Sequence, residues 1–275
     1  MQPTPRRGRP APAPASLLGL LLLLLAGTGL APGPATAAEP TVVTLQPVAD
    51  TSLFSLTPNN NWGGADFLNA GTAGNLGINR GLMRFDLGGA VPPGSTILNA
   101  TLTIEVVRMP ASGHRNSIFD LHRMLVSWGE GSQAPVPPQD VGLPAGPGEA
   151  TWNHRFGNAL PWGQPGGLPG VDFLSTASSS SFVSLIGDPI EFGSTTALIS
   201  DVQFWANNPS QNFGWMLSTQ QEDLAKTARS FASRESGFGP VLTIEFIPVP
   251  EPGLWTLAAA ALLLVTARRK KGRVS

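Results

Sequence analysis

Ala100-Thr101-Leu102-Thr103-Ile104-Glu105-Val106 alternates apolar and polar side chains without a break. Successive side chains on a strand point to opposite faces, so Ala100, Leu102, Ile104 and Val106 share one face while Thr101, Thr103 and Glu105 share the other. A strand with one face on a core and one in water belongs to an antiparallel sheet. Outward from this stretch, short apolar or alternating runs bounded by turn residues recur. They predict strands near residues 42–45, 82–87, 97–107, 118–125, 182–186, 214–218, 229–233 and 241–246. One stretch differs: Leu198, Ile199, Val202 and Trp205 fall at helical spacing, with Pro209 beyond the end. The 32 glycines and 27 prolines punctuate these runs, so they mark turns rather than disorder. Residues 132–148 read as a long loop and residues 175–181 as a polar connector. The fold class expected is all-β, a jelly-roll β-sandwich with one short helix.

Both ends of the chain read as targeting segments. Arg6, Arg7 and Arg9 precede an apolar run from Leu17 to Ala26, and small residues follow, ending Ala35-Thr36-Ala37-Ala38-Glu39. That order is the one a secretory signal peptide requires, with cleavage by signal peptidase after Ala37 or Ala38. An uncleaved membrane anchor fits less well, because the run is short and the small-residue site well placed. At the other end Val249-Pro250-Glu251-Pro252 leads into an almost wholly apolar stretch, Gly253 to Ala267. Arg268, Arg269, Lys270 and Lys271 follow it. As a helix the apolar stretch covers about 22 Å at 1.5 Å per residue, short of the roughly 30 Å of a bilayer core. It suits transient engagement of a membrane, its basic cluster on the cytoplasmic side. The division expected is a signal peptide with its helix over residues 1–38, one domain over 39–248, and a tail with a hydrophobic helix over 249–275.

Charge narrows the partners. Of the 17 Lys and Arg, eight lie in the first and last ten residues. Nine remain between Glu39 and Pro250 against seventeen acidic residues, a balance near −8. Such a surface repels phosphate backbones, which argues against nucleic acid. With no cysteine, an exported domain of this kind relies on its core, or on a bound ion, for stability.

Two resemblances sharpen this picture. Pro250-Glu251-Pro252, a short apolar helix and a terminal Arg/Lys cluster resemble the PEP-CTERM sorting signal of Gram-negative, exopolysaccharide-producing bacteria. The resemblance covers about the last 26 residues and implies an exosortase, a membrane cysteine transpeptidase, as processing partner. In the middle, Asp50-Thr51, Pro58-Asn59-Asn60-Asn61-Trp62-Gly63-Gly64, Leu82-Met83-Arg84-Phe85-Asp86-Leu87 and Pro93-Gly94-Ser95-Thr96-Ile97 resemble the DNRLRE-type domain. Trp128-Gly129-Glu130, Thr151-Trp152-Asn153, Trp162 with Gly166-Gly167, Asn212-Phe213-Gly214 and Ser233-Arg234-Glu235 continue the likeness in order. It implies a jelly-roll module of extracellular proteins related to carbohydrate-binding modules. The chain departs from the pattern in a long insertion between Glu130 and Thr151, and in Asp50-Thr51-Ser52 where the family name implies Asp-Asn.

Signatures of catalysis are missing: there is no G-x-S-x-G elbow, no H-E-x-x-H and no P-loop. His114, His122 and His154 are scattered. Asp120 and His122 share a strand face as a surface pair, and Arg84 with Asp86 and Arg234 with Glu235 read as structural ion pairs. Asp50, Asn61 and Asp66, with Asn59 and Asn60, offer oxygen donors in a glycine-rich segment, which suits calcium. The competing reading is a set of Asn/Gly turns whose side chains hold the backbone. Trp205 and Trp215 read as core. Trp62 and Trp162, flanked by Gly, Pro and Asn, are the candidate platforms for a sugar ring, against a competing reading in which they pack beneath loops. The function expected is that of a non-catalytic protein, secreted or on the cell surface, transiently membrane-anchored by its C-terminal helix. Its module binds extracellular polysaccharide or is structural. The alternative is an extracellular polysaccharide-acting enzyme.

Overall fold

The computed structural model describes residues 38–134, 141–184, 186–187 and 189–249. The signal segment with Ala37, and the tail from Pro250 through Glu251 and Pro252 to Arg268, Arg269, Lys270 and Lys271, lie outside the described residues.

Eleven strands form one curled antiparallel sheet. They are β1 (Thr41–Leu45), β2 (Pro47–Phe54), β3 (Phe67–Thr72), β4 (Ile78–Phe85), β5 (Thr96–Arg108) and β6 (Ser117–Arg123). β7 (Ser179–Val183), β8 (Pro189–Phe192), β9 (Trp215–Thr219), β10 (Arg229–Ala232) and β11 (Val241–Ile247) complete it. The order across the sheet is β1-β11-β5-β10-β3-β4-β9-β6-β7, with β8 branching from β5 and β2 from β4. β5 is the long spine. It pairs with β11 from Thr96 to Thr103, with β8 from Leu102 to Glu105, and with β10 at Val106 and Arg108. Its alternation holds along this length: Ala100, Leu102, Ile104 and Val106 are buried in the main core, while Thr101, Thr103 and Glu105 are partly exposed.

The curl brings Leu68, Phe85, Phe119, Phe192, Phe231 and Ile244 into the same core. One side of it is capped by α1 (Thr196–Asn207), whose N-cap Thr195 accepts a hydrogen bond from Leu198 N–H. Leu198, Val202, Trp205 and Ala206 form its buried stripe. Asp201 lies in that stripe too, and burial raises its pKa. Ser178 Oγ and Trp215 Nε1 donate to the carboxylate and Arg123 pairs with it at 3.0 Å, which offsets part of the cost of burial. Among the described residues no helix is long and apolar enough to cross a membrane.

The all-β expectation holds, and each predicted strand has a counterpart within a few residues. Three strands of this sheet have no counterpart in the sequence reading. β2 and β3 lie in the segment whose Asn and Gly suggested turns, and β8 begins on a proline. The polar connector at 175–181 is also corrected: Ser179, Ser180 and Ser181 pair with Leu121, Asp120 and Phe119 as an edge strand. In the long loop of 132–148, Leu143–Pro144 pairs with Asn60–Asn61.

Candidate functional site

Across β3, β10 and the end of β5, Asn69, Ser230 and Arg108 stand opposite one another in register. Their neighbours Leu68 and Phe231 point into the core, so the pleat turns Asn69 and Ser230 to the outer face. A bulge between Ser230 and Phe231 keeps Arg108 on the same side as Ser230. Phe67, two residues before Asn69, is buried with Phe54, Trp62 and Ala65 in a small second core, and the Arg108 guanidinium covers its ring at 4.1 Å from the centroid. These residues line an open groove of about 340 Å³, rimmed by Met109 and Pro110.

The groove's polar atoms are held in place from behind. Ser230 Oγ donates to Asn69 Oδ1 at 2.7 Å, and Asn69 N–H donates to Ser52 Oγ at 2.8 Å. That leaves the Asn69 amide N–H2 directed to no acceptor among the described residues, next to a hydroxyl, a guanidinium and an aromatic ring. Lys226 borders the same end, its Cε 3.8 Å from where a Cβ on Gly74 would stand. Among the described residues no carboxylate lines the groove, although the domain as a whole is acidic. Such a surface can donate hydrogen bonds to hydroxyl or carboxyl oxygens.

The tryptophan platforms expected from the sequence do not form. Trp62 is 2% exposed and Trp162 4%, and their indole N–H groups donate to Phe67 O and Thr151 O. The glycines beside Trp62 serve the chain itself: a Cβ on Gly63 would stand 2.2 Å from Glu130 O, and one on Gly64 2.5 Å from Ser132 O. Gly-flanked indoles therefore mark a place where two backbone segments touch, not a place for a ligand. Trp205 and Trp215 are core, as expected.

The candidate calcium donors serve different parts of the fold. Asn61 Nδ2 donates to Glu130 O and Ala150 O, both at 2.8 Å, and its Oδ1 accepts from Gly63 N–H at 2.9 Å. Its amide is spent on holding three loops together. Asp50 is buried, Asp66 is exposed, and no group of three or more His, Asp or Glu side chains able to hold a metal exists among the described residues. The Asn/Gly-turn reading accounts for Asn61.

A second charged cluster surrounds Asp50. Arg234 N–H donates to Asp50 Oδ2 at 2.7 Å, and Asp50 N–H donates to Glu130 Oε1 at 2.8 Å. The Arg234 guanidinium bridges Glu130 at 3.1 Å and Glu235 at 2.6 Å. Burial pushes the Asp50 carboxyl up to about 7, and burial raises Glu130 too. Asp50 is 1% exposed, so its own carboxyl is sealed inside a cluster that ties β2 to two loops. His122 lies 3.9 Å from Asp120, as the strand-face reading expected, and its Nδ1 is bonded to Leu174 O. Asp120 is itself bonded to Ser180 and Gln220.

The groove residues were not singled out from the sequence. Phe67-Leu68-Asn69-Ala70 carries a strand's alternation, but Asn and Gly on either side masked it, and pairing with β10 lies 161 residues away for Asn69 and Ser230. No model of a known protein family matches the chain, and no curated protein matches it.

Proposed function

We propose that the protein is a non-catalytic module of the cell surface or biofilm matrix of a Gram-negative bacterium, and that the groove over β3, β10 and β5 binds extracellular polysaccharide. The row Asn69, Ser230 and Arg108 along an open groove carries this reading, because a few convergent polar groups suit the hydroxyls of a sugar. In this reading the curled sheet is a jelly roll of the DNRLRE type. Signal peptidase cuts beside Ala37 or Ala38, and an exosortase-type transpeptidase acts at Pro250-Glu251-Pro252. The tail helix with Arg268, Arg269, Lys270 and Lys271 engages the membrane in transit.

A glycan array probed with the purified protein, followed by titration calorimetry on the best ligand, tests the binding. Asn69→Ala and Arg108→Ala should each weaken binding about tenfold or more, a loss of about 1.4 kcal/mol. Arg108 is exposed, so its variant should keep the parent's melting temperature, whereas Asn69 is buried and accepts from Ser230 Oγ, so Asn69→Ala should also lower it by a few degrees. An array without signal, or variants that bind like the parent, would refute the groove assignment.

A further inference from the structure

The domain between Glu39 and Pro250 contains a single lysine, Lys226. Ala73 and Gly74, in the turn after β3, line the groove, and so do Met109 and Pro110, in the loop after β5. The Lys226 side chain joins these two segments. Its Cγ and Cε each lie 3.8 Å from where a Cβ on Gly74 would stand, and its Nζ lies 3.1 Å from where one on Gly113 would stand. Nζ donates to Ser112 O at 3.3 Å, its one acceptor among the described residues. The ammonium therefore borders the groove at the end where the two segments meet, with two further N–H donors.

The backbone at this position makes lysine a costly choice. Lys226 has φ +67°, one of three positive values among the described residues other than glycine. A side chain crowds the backbone there, whereas glycine adopts the same conformation freely. The conformation is held from both sides. Lys226 N–H donates to Ala73 O at 3.4 Å, and Lys226 O accepts from Arg115 N–H at 2.9 Å. A residue kept in a strained backbone beside a candidate site points to a use for its side chain. What lysine adds there over glycine is a positive charge on a long stem.

We propose that Lys226 sets the specificity of the groove: its ammonium pairs with the carboxylate of an acidic sugar, so the polysaccharide bound there contains uronic acid residues. This rests on the reading that the groove binds polysaccharide. A carboxylate against an ammonium makes a charge-assisted hydrogen bond, roughly twice as strong as a neutral one. Asn69 and Ser230, which line the same groove, are left for the uncharged hydroxyls. The acidity of the whole domain does not oppose this contact, because exposed charges more than about 8 Å away are largely screened at physiological ionic strength. A neutral sugar would leave the ammonium to water and gain nothing from it.

The full chain, purified in detergent, is titrated with oligogalacturonate, oligomannuronate, their carboxyl-reduced neutral forms and dextran sulfate, alongside Lys226→Met and Lys226→Gly. The parent should bind at least one uronate about tenfold or more tighter than its reduced form. Both variants should lose that preference and bind the two forms about equally. Lys226→Gly should also hold or raise the melting temperature, because glycine relieves the backbone, and this separates loss of the amine from loss of the fold. A uronate preference that survives in the variants would overturn the role of Lys226. So would a parent that prefers the reduced forms or dextran sulfate. In either case the groove reading still stands if the binding seen falls in Arg108→Ala. If no glycan binds, here or on the array, the groove reading falls and the inference falls with it.

Discussion

Replacing Asp50 with Asn should stabilise the protein by an amount that grows as pH rises from about 4 and levels off above about 7. Asp50 is 1% exposed, and burial is the largest cause that lifts its carboxyl from 3.8 to about 7, with Glu235 and Glu130 adding to the rise. Two contacts pull the other way, the Arg234 N–H bond and the Arg234 charge, and they lose. The folded state therefore keeps this proton up to about pH 7 while the unfolded chain gives it up near 3.8. The unfolded state binds fewer protons across that window, so stability is full below it and falls as pH rises through it. Each unit is worth about 1.4 kcal/mol, which makes the full loss about 4 kcal/mol above pH 7. Asn mimics the protonated acid, still accepts from Arg234 N–H through its amide oxygen, and never ionises. The variant should match the parent near pH 4 and exceed it by about 4 kcal/mol at pH 8, or roughly 10 °C in melting temperature for a domain of this size. Thermal unfolding followed by circular dichroism at pH 4, 6 and 8 reads the difference directly. A gap between variant and parent that does not widen with pH would refute the argument. So would a variant less stable than the parent at pH 8, since it would mean that the ionised carboxylate is held by Arg234 after all.

Three further substitutions test how the fold is held. Arg229 is 1% exposed, with a pKa lowered by burial and a guanidinium bonded to the carbonyls of Thr227, Ala228, Arg115 and Ser184. Lysine has too few donors and no fork, so Arg229→Lys should lose about 3 kcal/mol in urea unfolding. Asn61→Ala strips bonds from Glu130 O, Ala150 O and Gly63 N–H and should cost about 3 kcal/mol. That cost should be the same in calcium and in chelator; a calcium-dependent difference would restore Asn61 as a metal ligand. Gly214 has φ +76°, and an added Cβ would stand 2.0 Å from Met83 O, so Gly214→Ala should cost about 3 kcal/mol or more, read from the same unfolding curves.

The fold was legible where one residue type carried one meaning. Along β5 alternation alone fixed which face is buried, and at α1 the spacing of Leu198, Val202 and Trp205 with Pro209 beyond the end gave the helix within two residues of its ends. Legibility failed where glycine and asparagine had two meanings. Beside Trp62 glycine signals close approach, but the sequence does not say what approaches, and the answer was the backbone of Glu130 and Ser132. Asn61 offered oxygen for a cation or an amide for three loops, and its partners Glu130 and Ala150 are 69 and 89 residues away. The groove was hidden for the same reason. Phe67 and Asn69 on β3, Arg108 on β5 and Ser230 on β10 become a row only through pairings between distant strands.

β5 gives this arrangement a direction. Its first residue, Thr96, pairs with Ile247, and the turn before it, at Gly94, touches Val249, where the described chain gives way to the tail. Its last residue, Arg108, lies in the groove. Thirteen residues separate the two ends inclusively, a path of about 40 Å at 3.3 Å per residue. The groove therefore lies at the opposite end of this strand from Val249, the last residue described.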